Sequence, residues 1–303
     1  MPGEAQPADQ HDGADRPTSM PAVLDLAQAA PQLFRAAPRG ATPGRVFGGA
    51  VAAQALLAAG RTVPADRAVH SLHAYFVRPA DATLPTELRV DPVRDGGSYT
   101  TRRVSAEQRG EVVLDLAASF SVAEDGFTHQ VPGLDAPAPE DLPGPEEAMT
   151  GAEGTVRDWF ARLPARHPFE LRFAEPLPRL ATGRGELAPP RQRFWFRCRD
   201  PLPDLPLVHA CAVTYASDML LLSSSLGPHG TMVGAPDLRS ASLDHAVWFH
   251  SPARADDWLF YDQESSWAAG GRTLCHGRVF DRSGRLVVTV AQEGMIRRRI
   301  MPS

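Results

Sequence analysis

Asp218 is the residue whose placement asks for chemistry. It lies near the middle of VHACAVTYASDMLLL, residues 208–222, where Val208, Ala212, Tyr215, Met219 and Leu222 recur at helical spacing and the other faces are also largely apolar. A helix that is apolar nearly all round is enclosed by other elements. An ionised carboxylate inside it is costly unless it is hydrogen-bonded or opens on a wet cleft. Asp218 is therefore either a rim residue bonded to backbone amides or a perturbed acid at a site, and the helix alone leaves both open.

Other residue sets say less. In Ser242-Leu243-Asp244-His245, strand alternation puts Ser242 and Asp244 on one face and His245 on the other, which argues against a local Ser-His-Asp relay. Taken alone, Ser242 reads as a strand hydroxyl bonded to backbone. No GxSxG elbow occurs, so an α/β-hydrolase is not expected. The ten histidines form no HxxxH or HExxH pattern, and no metal site is expected. Gly44-Arg-Val-Phe-Gly-Gly49 leads into an Ala/Leu helix; such glycines either cradle a phosphate or, more commonly, permit close packing. All 31 basic residues are arginine, which excludes Schiff-base chemistry and a P-loop lysine. Arg78, Arg102 and Arg103 read as strand-end charges, and Arg297-Arg-Arg299 as a solvated terminus.

Elements must hold these groups in place. The spacing predicts a helix over Met20–Ala36 and another over residues 50–60, ended by Gly60. Strands follow at Ala68–Val77, Thr83–Val93, Ser98–Ala106 and Glu111–Val122, separated by Arg78-Pro79, Asp95-Gly-Gly97 and Arg109-Gly110. Residues 132–147, PGLDAPAPEDLPGPEE, have the composition of a stiff, solvated linker, and a short helix is expected over Thr155–Leu163. The second half has strands at Phe169–Phe173 and Arg193–Arg197, then the buried helix. Four more strands come after it, at Ser240–Phe249, Trp258–Ser266, Arg272–Asp281 and Arg285–Glu293.

The halves repeat. Gly96 and Gly270 are 174 residues apart, as are Gly110 and Gly284, each in a tight turn before an apolar strand. One helix followed by an antiparallel sheet, present twice, implies two fused copies of one α+β unit. A buried helix wrapped by a curved antiparallel sheet is the hotdog arrangement, so the expected fold is a double hotdog. Its expected divisions are a disordered tail at 1–19, a first hotdog at 20–130, a linker with a short helix at 131–165, and a second hotdog at 166–303. The halves differ in polarity: Gln292 falls over Ala118 at the same offset, and Asp218 falls near Leu57 when the helix starts are matched. Buried polar groups cost free energy, so this asymmetry points to a site belonging to the second half.

Composition narrows the class. At 303 residues, 43% hydrophobic and 22% charged, the chain can bury a sizeable core. A net charge of −5 leaves no basic footprint for nucleic acid. Three scattered cysteines without a CxxC pair suit a reducing, cytoplasmic compartment. No run approaches 18 uninterrupted apolar residues, so no membrane span is expected. The polar, acidic N-terminus is unlike a signal peptide.

The blocks GRVFGGAVAAQAL, VHSLHAYFVRP, RDGGSYTTRRV, TYASDMLLL, SLDHAVWFH and VAQEGMIR resemble the acyl-CoA thioesterase II (TesB-like) family of double-hotdog enzymes, in order from about Phe47 to Arg298. The resemblance implies thioester hydrolysis of acyl-CoA without a cofactor. It also implies a catalytic trio: an aspartate on the second central helix, a hydroxyl on the next strand and a glutamine on the last strand, here Asp218, Ser242 and Gln292. The trio would hold one water, with Asp218 as general base. A homo-oligomer is expected, since hotdog sheets commonly pair. Two other readings stand beside this one. Asp204-Leu-Pro-Leu-Val-His209 has the D-x₄-H spacing of hotdog hydratases and dehydratases, without the usual Asn-Pro. A non-catalytic acyl-CoA-binding protein would keep the fold and lack a trio member, and none is missing.

Overall fold

The first central helix is built mostly of alanine and leucine and the second of mixed, largely apolar residues, as suits helices enclosed on all sides by a curved sheet. The computed structural model describes residues 19–298 apart from 43, 134, 149 and 151. In chain order these form α1 (Met20–Val23), β1 (Leu26–Ala30), β2 (Leu33–Ala36), α2 (Gly48–Gly60), β3 (Ala68–Phe76), β4 (Thr86–Asp95), β5 (Tyr99–Gln108) and β6 (Glu111–Ser121). Next come α3 (Pro145–Ala148), α4 (Gly154–Arg166), β7 (Phe169–Phe173), α5 (Pro178–Gly183) and β8 (Arg191–Cys198). The last elements are α6 (Pro206–Ser217), β9 (Leu238–Ser242), β10 (Asp244–Phe249), β11 (Leu259–Ala269), β12 (Arg272–Asp281) and β13 (Leu286–Arg298).

The strands form one antiparallel sheet in the order β1-β2-β4-β5-β6-β3-β10-β13-β12-β11-β8-β7, with β9 on β13. Each half folds its strands around its own helix, and the halves join edge to edge where Asp244–Trp248 of β10 pairs with Ser71–Tyr75 of β3. This is the expected double hotdog. Inward side chains such as Leu88, Val104, Leu116 and Phe120 close over α2, and Phe194, Phe196 and Tyr261 over α6, all of them 1% exposed or less.

Four sequence expectations change. Met20–Ala36 is not one helix: it is a single turn followed by the β1–β2 hairpin, because Pro31 interrupts the helical run and β2 gains a ladder with β4. The strand expected over Ser240–Phe249 is broken at Leu243. The acidic linker is docked, not solvated: Trp195 Nε1–H donates to the Pro137 carbonyl at 2.9 Å, and Arg282 pairs with Glu140 at 2.8 Å. Ala136 and Leu142 pack there on a cluster of Trp195, Trp258, Phe260 and Phe280, apolar surface that would otherwise face water. Arg102 is no strand-end charge: it is 3% exposed and ties Asp95 to the Thr62 carbonyl at the end of α2. The tail at residues 1–18 and Arg299 lie outside the described residues.

The stretch Pro206–His229 is long and apolar enough to cross a membrane by length and composition, but 67% of its most apolar window is buried inside the fold. Its apolarity matches the core that encloses it.

Candidate active site

The two central helices lie against each other in opposite directions. A Cβ added to Gly49, at the start of α2, would stand 2.5 Å from the Tyr215 carbonyl and 3.1 Å from Asp218 Cβ; one added to Gly60, at the other end, would stand 2.5 Å from Leu207. The glycines of the Gly48-Gly49 turn thus permit close packing, and their nearest anion is a side chain of the chain itself.

Asp218 sits at the end of α6, as its C-cap, not near the middle of a helix. The backbone then turns sharply: Leu220 has φ 63°, a left-handed conformation unusual for a side chain of its size. Gln263 Nε2 donates to the Met219 carbonyl at 2.8 Å and Gln192 Nε2 donates to the Leu220 carbonyl, so two buried amides hold the turn. Asp218 is 9% exposed, and its Oδ2 accepts the Gly49 N–H at 2.8 Å. The positive end of α2 therefore faces the carboxylate, against the negative end of the helix it caps. Burial pushes its pKa above the ordinary carboxyl value; opposing this are the charge interaction with His245, the Gly49 amide, and side-chain hydrogen bonds from Gln292 and Ser242.

Ser242 ends β9 and Gln292 lies on β13, 1% exposed; Gln292 Nε2 donates to Ser242 Oγ at 2.6 Å. The structure brings Asp218, Ser242 and Gln292 together. It also brings in His245, which strand alternation had put on the opposite face. Ser242 pairs with Gly294 and Ala246 with Ala291, so this stretch holds one residue more than β13 between the two pairs. The extra residue, at the break around Leu243, reverses the inside–outside parity and turns His245 inward. His245 is 0% exposed, with Nδ1 2.6 Å from Gln292 Oε1 and Nε2 2.7 Å from Ser217 Oγ. Asp244 accepts the Glu293 N–H at 2.7 Å and takes no part in a relay with Ser242.

Asp218 and Ser242 open on a cavity of about 530 Å³ whose walls come from both halves, including Phe47, Gly48 and Phe76 of the first and Tyr215 and Leu220 of the second. The site therefore does not belong to the second half alone. Nothing in one strand or helix of the sequence signals the Gly49 amide or the parity change at Leu243, since both depend on partners distant in the chain. Arg39 lines the cavity and has no carboxylate partner among the described residues; burial lowers its pKa. Arg78 also lines it, while Arg103 pairs with Asp115 at 2.6 Å elsewhere.

Asp204 and His209 form no comparable site. The Asp204 carboxylate is 91% exposed and pairs with Arg254 at 2.7 Å. His209 is 4% exposed, its Nδ1 accepts the Ala255 N–H at 3.2 Å, and neither residue lines the cavity.

Fold and cavity place the chain among the double-hotdog proteins. Residues 164–295 match the acyl-CoA thioesterase family and residues 37–121 match its N-terminal domain. The chain is 37% identical over 287 residues to acyl-coenzyme A thioesterase 8 of Homo sapiens, covering 91% of this chain and 88% of that protein. It is 34% identical over 257 residues to acyl-CoA thioesterase 2 of Haemophilus influenzae, covering 84% and 88%. The crystal structure of an acyl-CoA thioesterase II from Mycobacterium marinum is 41% identical and superposes with a TM-score of 0.74 over 94% of this chain and 99% of that one. The chain belongs to the acyl-CoA thioesterase II family, and it is an acyl-CoA thioester hydrolase.

Proposed function

We propose that the chain hydrolyses fatty acyl-CoA to free fatty acid and CoA through one water gripped by Asp218, Ser242 and Gln292. The observation that carries this reading is the convergence of the Gly49 amide, Ser242 and Gln292 on a buried carboxylate that opens on the cavity. Asp218 takes a proton from the water as its oxygen bonds to the thioester carbon. The carbon–sulfur bond then breaks, and the departing thiolate takes that proton. Ser242 and Gln292 fix the direction of attack, and no acyl-enzyme forms. The Gly48 N–H, at the start of α2 on the cavity wall, is suited to the developing oxyanion. Arg39 is suited to an anionic part of the substrate. The scheme uses no metal and no cofactor.

The same reading takes residues 20–130 and 166–303 as the two repeats, joined by 131–165. It also holds that the protein is cytoplasmic, has no nucleic-acid partner and works as a homo-oligomer.

Thiol release measured across acyl-CoAs of graded length tests the activity, with Asp218→Asn as the decisive variant. General-base assistance is worth roughly 10²–10⁴ in rate, and the variant is expected to lose about that much while keeping its circular dichroism. Undiminished release by the Asn variant removes Asp218 from the mechanism. Crotonyl-CoA supplies a second arm: loss of enoyl absorbance without thiol release would indicate hydration instead.

A further inference from the structure

We infer that His245 is a positioning residue: its Nδ1–H fixes the orientation of the Gln292 amide and thereby aims the Gln292 NH₂ group at Asp218 and Ser242. The inference rests on the trio reading of the site.

The hydrogen-bond inventory around Gln292 carries it. Gln292 favours the ionised form of Asp218, and a carboxylate only accepts, so it is the amide NH₂ that is turned toward Asp218. The same nitrogen donates to Ser242 Oγ at 2.6 Å. Oε1, on the other side of the amide, then faces His245 Nδ1 at 2.6 Å. A carbonyl oxygen only accepts, so Nδ1 must carry a proton. The imidazole thus selects one of the two amide orientations; the flipped amide would turn an oxygen toward the carboxylate and repel it.

The ring is itself pinned. Nε2 lies 2.7 Å from Ser217 Oγ, and Ser217 is the residue before Asp218. The hydrogen bonds therefore run from Ser217 through His245 to Gln292 and on to Ser242, linking the end of α6 to β10, β13 and β9. Ser217 O–H has one proton and two acceptors in reach, Nε2 and the Thr214 carbonyl at 2.8 Å. A neutral ring takes that proton at Nε2, whereas a protonated ring donates to Ser217 and leaves the proton on Thr214. Nδ1–H points at Gln292 in both states. Burial favours the neutral ring, with Asp218, Gln292 and Asp244 pulling the other way.

Two substitutions separate positioning from plain packing. His245→Asn can place an amide N–H where Nδ1 stands, whereas His245→Leu fills much of the volume without a donor. Groups that orient a catalytic residue are worth about 10–100-fold in activity, so His245→Leu is expected to lower kcat by that factor with KM nearly unchanged, and His245→Asn to restore most of it. Thermal melts of both variants show that each is folded. The deciding measurement is the cycle with Gln292→Ala: once the amide is gone there is nothing to orient, and His245→Leu should then cost less than about threefold more. The proposal is overturned if the two losses multiply, if His245→Leu changes KM in place of kcat, or if folded His245→Asn is as slow as His245→Leu. Full activity in Gln292→Ala alone would remove the trio itself, an outcome distinct from multiplying losses, which would leave the trio standing.

Discussion

Asp218 carries two opposed demands, and its titration reads out both. Burial raises its pKa above the ordinary carboxyl value, so the proton leaves later than from a free aspartate. If the ionised form is the base, kcat/KM rises with pH through a group that titrates above the usual carboxylate range, and a pH profile of thiol release checks this. Stability runs the other way. A group whose folded pKa is raised contributes stability that is present below its unfolded pKa and lost as pH rises through the folded one. Asn does not titrate, so the stability of Asp218→Asn relative to the parent chain should improve between mildly acidic and mildly alkaline pH, measured by denaturant melts at each. Ser242 makes a simpler prediction. A hydrogen bond to a charged group is worth about 1.5–3 kcal/mol, so Ser242→Ala should cost about 10–100-fold in kcat. Ser242→Thr keeps the hydroxyl and should stay within a few-fold of the parent.

At the scale of elements, the site exists because α2 and α6 pack in opposite directions with glycine at the contacts. Gly49→Ala puts a methyl 2.5 Å from the Tyr215 carbonyl and 2.6 Å from the Phe47 ring, so the helices must part. Overpacking of this kind costs about 1–3 kcal/mol, and the Asp218 carboxylate is expected to lose its amide at the same time. Melting and thiol release should therefore fall together. Gly97→Ala is the control: its methyl would meet nothing within 4 Å, and the change should stay within about 0.5 kcal/mol. The break between β9 and β10 matters as much as the helices, since one extra residue sends Ser242 and His245 to the same network.

At the scale of the molecule, the halves share one sheet and one cavity, and the core they enclose is dry enough to silence its thiols. Burial pushes Cys198 up to about 11 and raises Cys211 and Cys275, all three being 3% exposed or less. The thiolate is the reactive form, so none of the three should react with a disulfide reagent at pH 8 in the native state, and all three should react in denaturant. The docked acidic segment belongs to this scale too, because Ala136 and Leu142 pack on the cluster of Trp195, Trp258, Phe260 and Phe280.

The sequence by itself determined the duplicated helix-and-strand unit, the buried character of both central helices and the positions of most turns, and through family blocks it singled out Asp218, Ser242 and Gln292 as the candidates for the trio proposed above. These rest on periodicity, turn chemistry and residue type, which are legible along the chain, and on comparing one stretch of it with another. Only the tertiary structure decided that the helix ends at Ser217, that a glycine amide from the first repeat reaches the carboxylate of the second, and that His245 faces inward. The reason is register. Which face a strand residue occupies, and which helix end meets which, depends on pairing with segments far away in the chain, and one inserted residue at Leu243 is enough to reverse the answer.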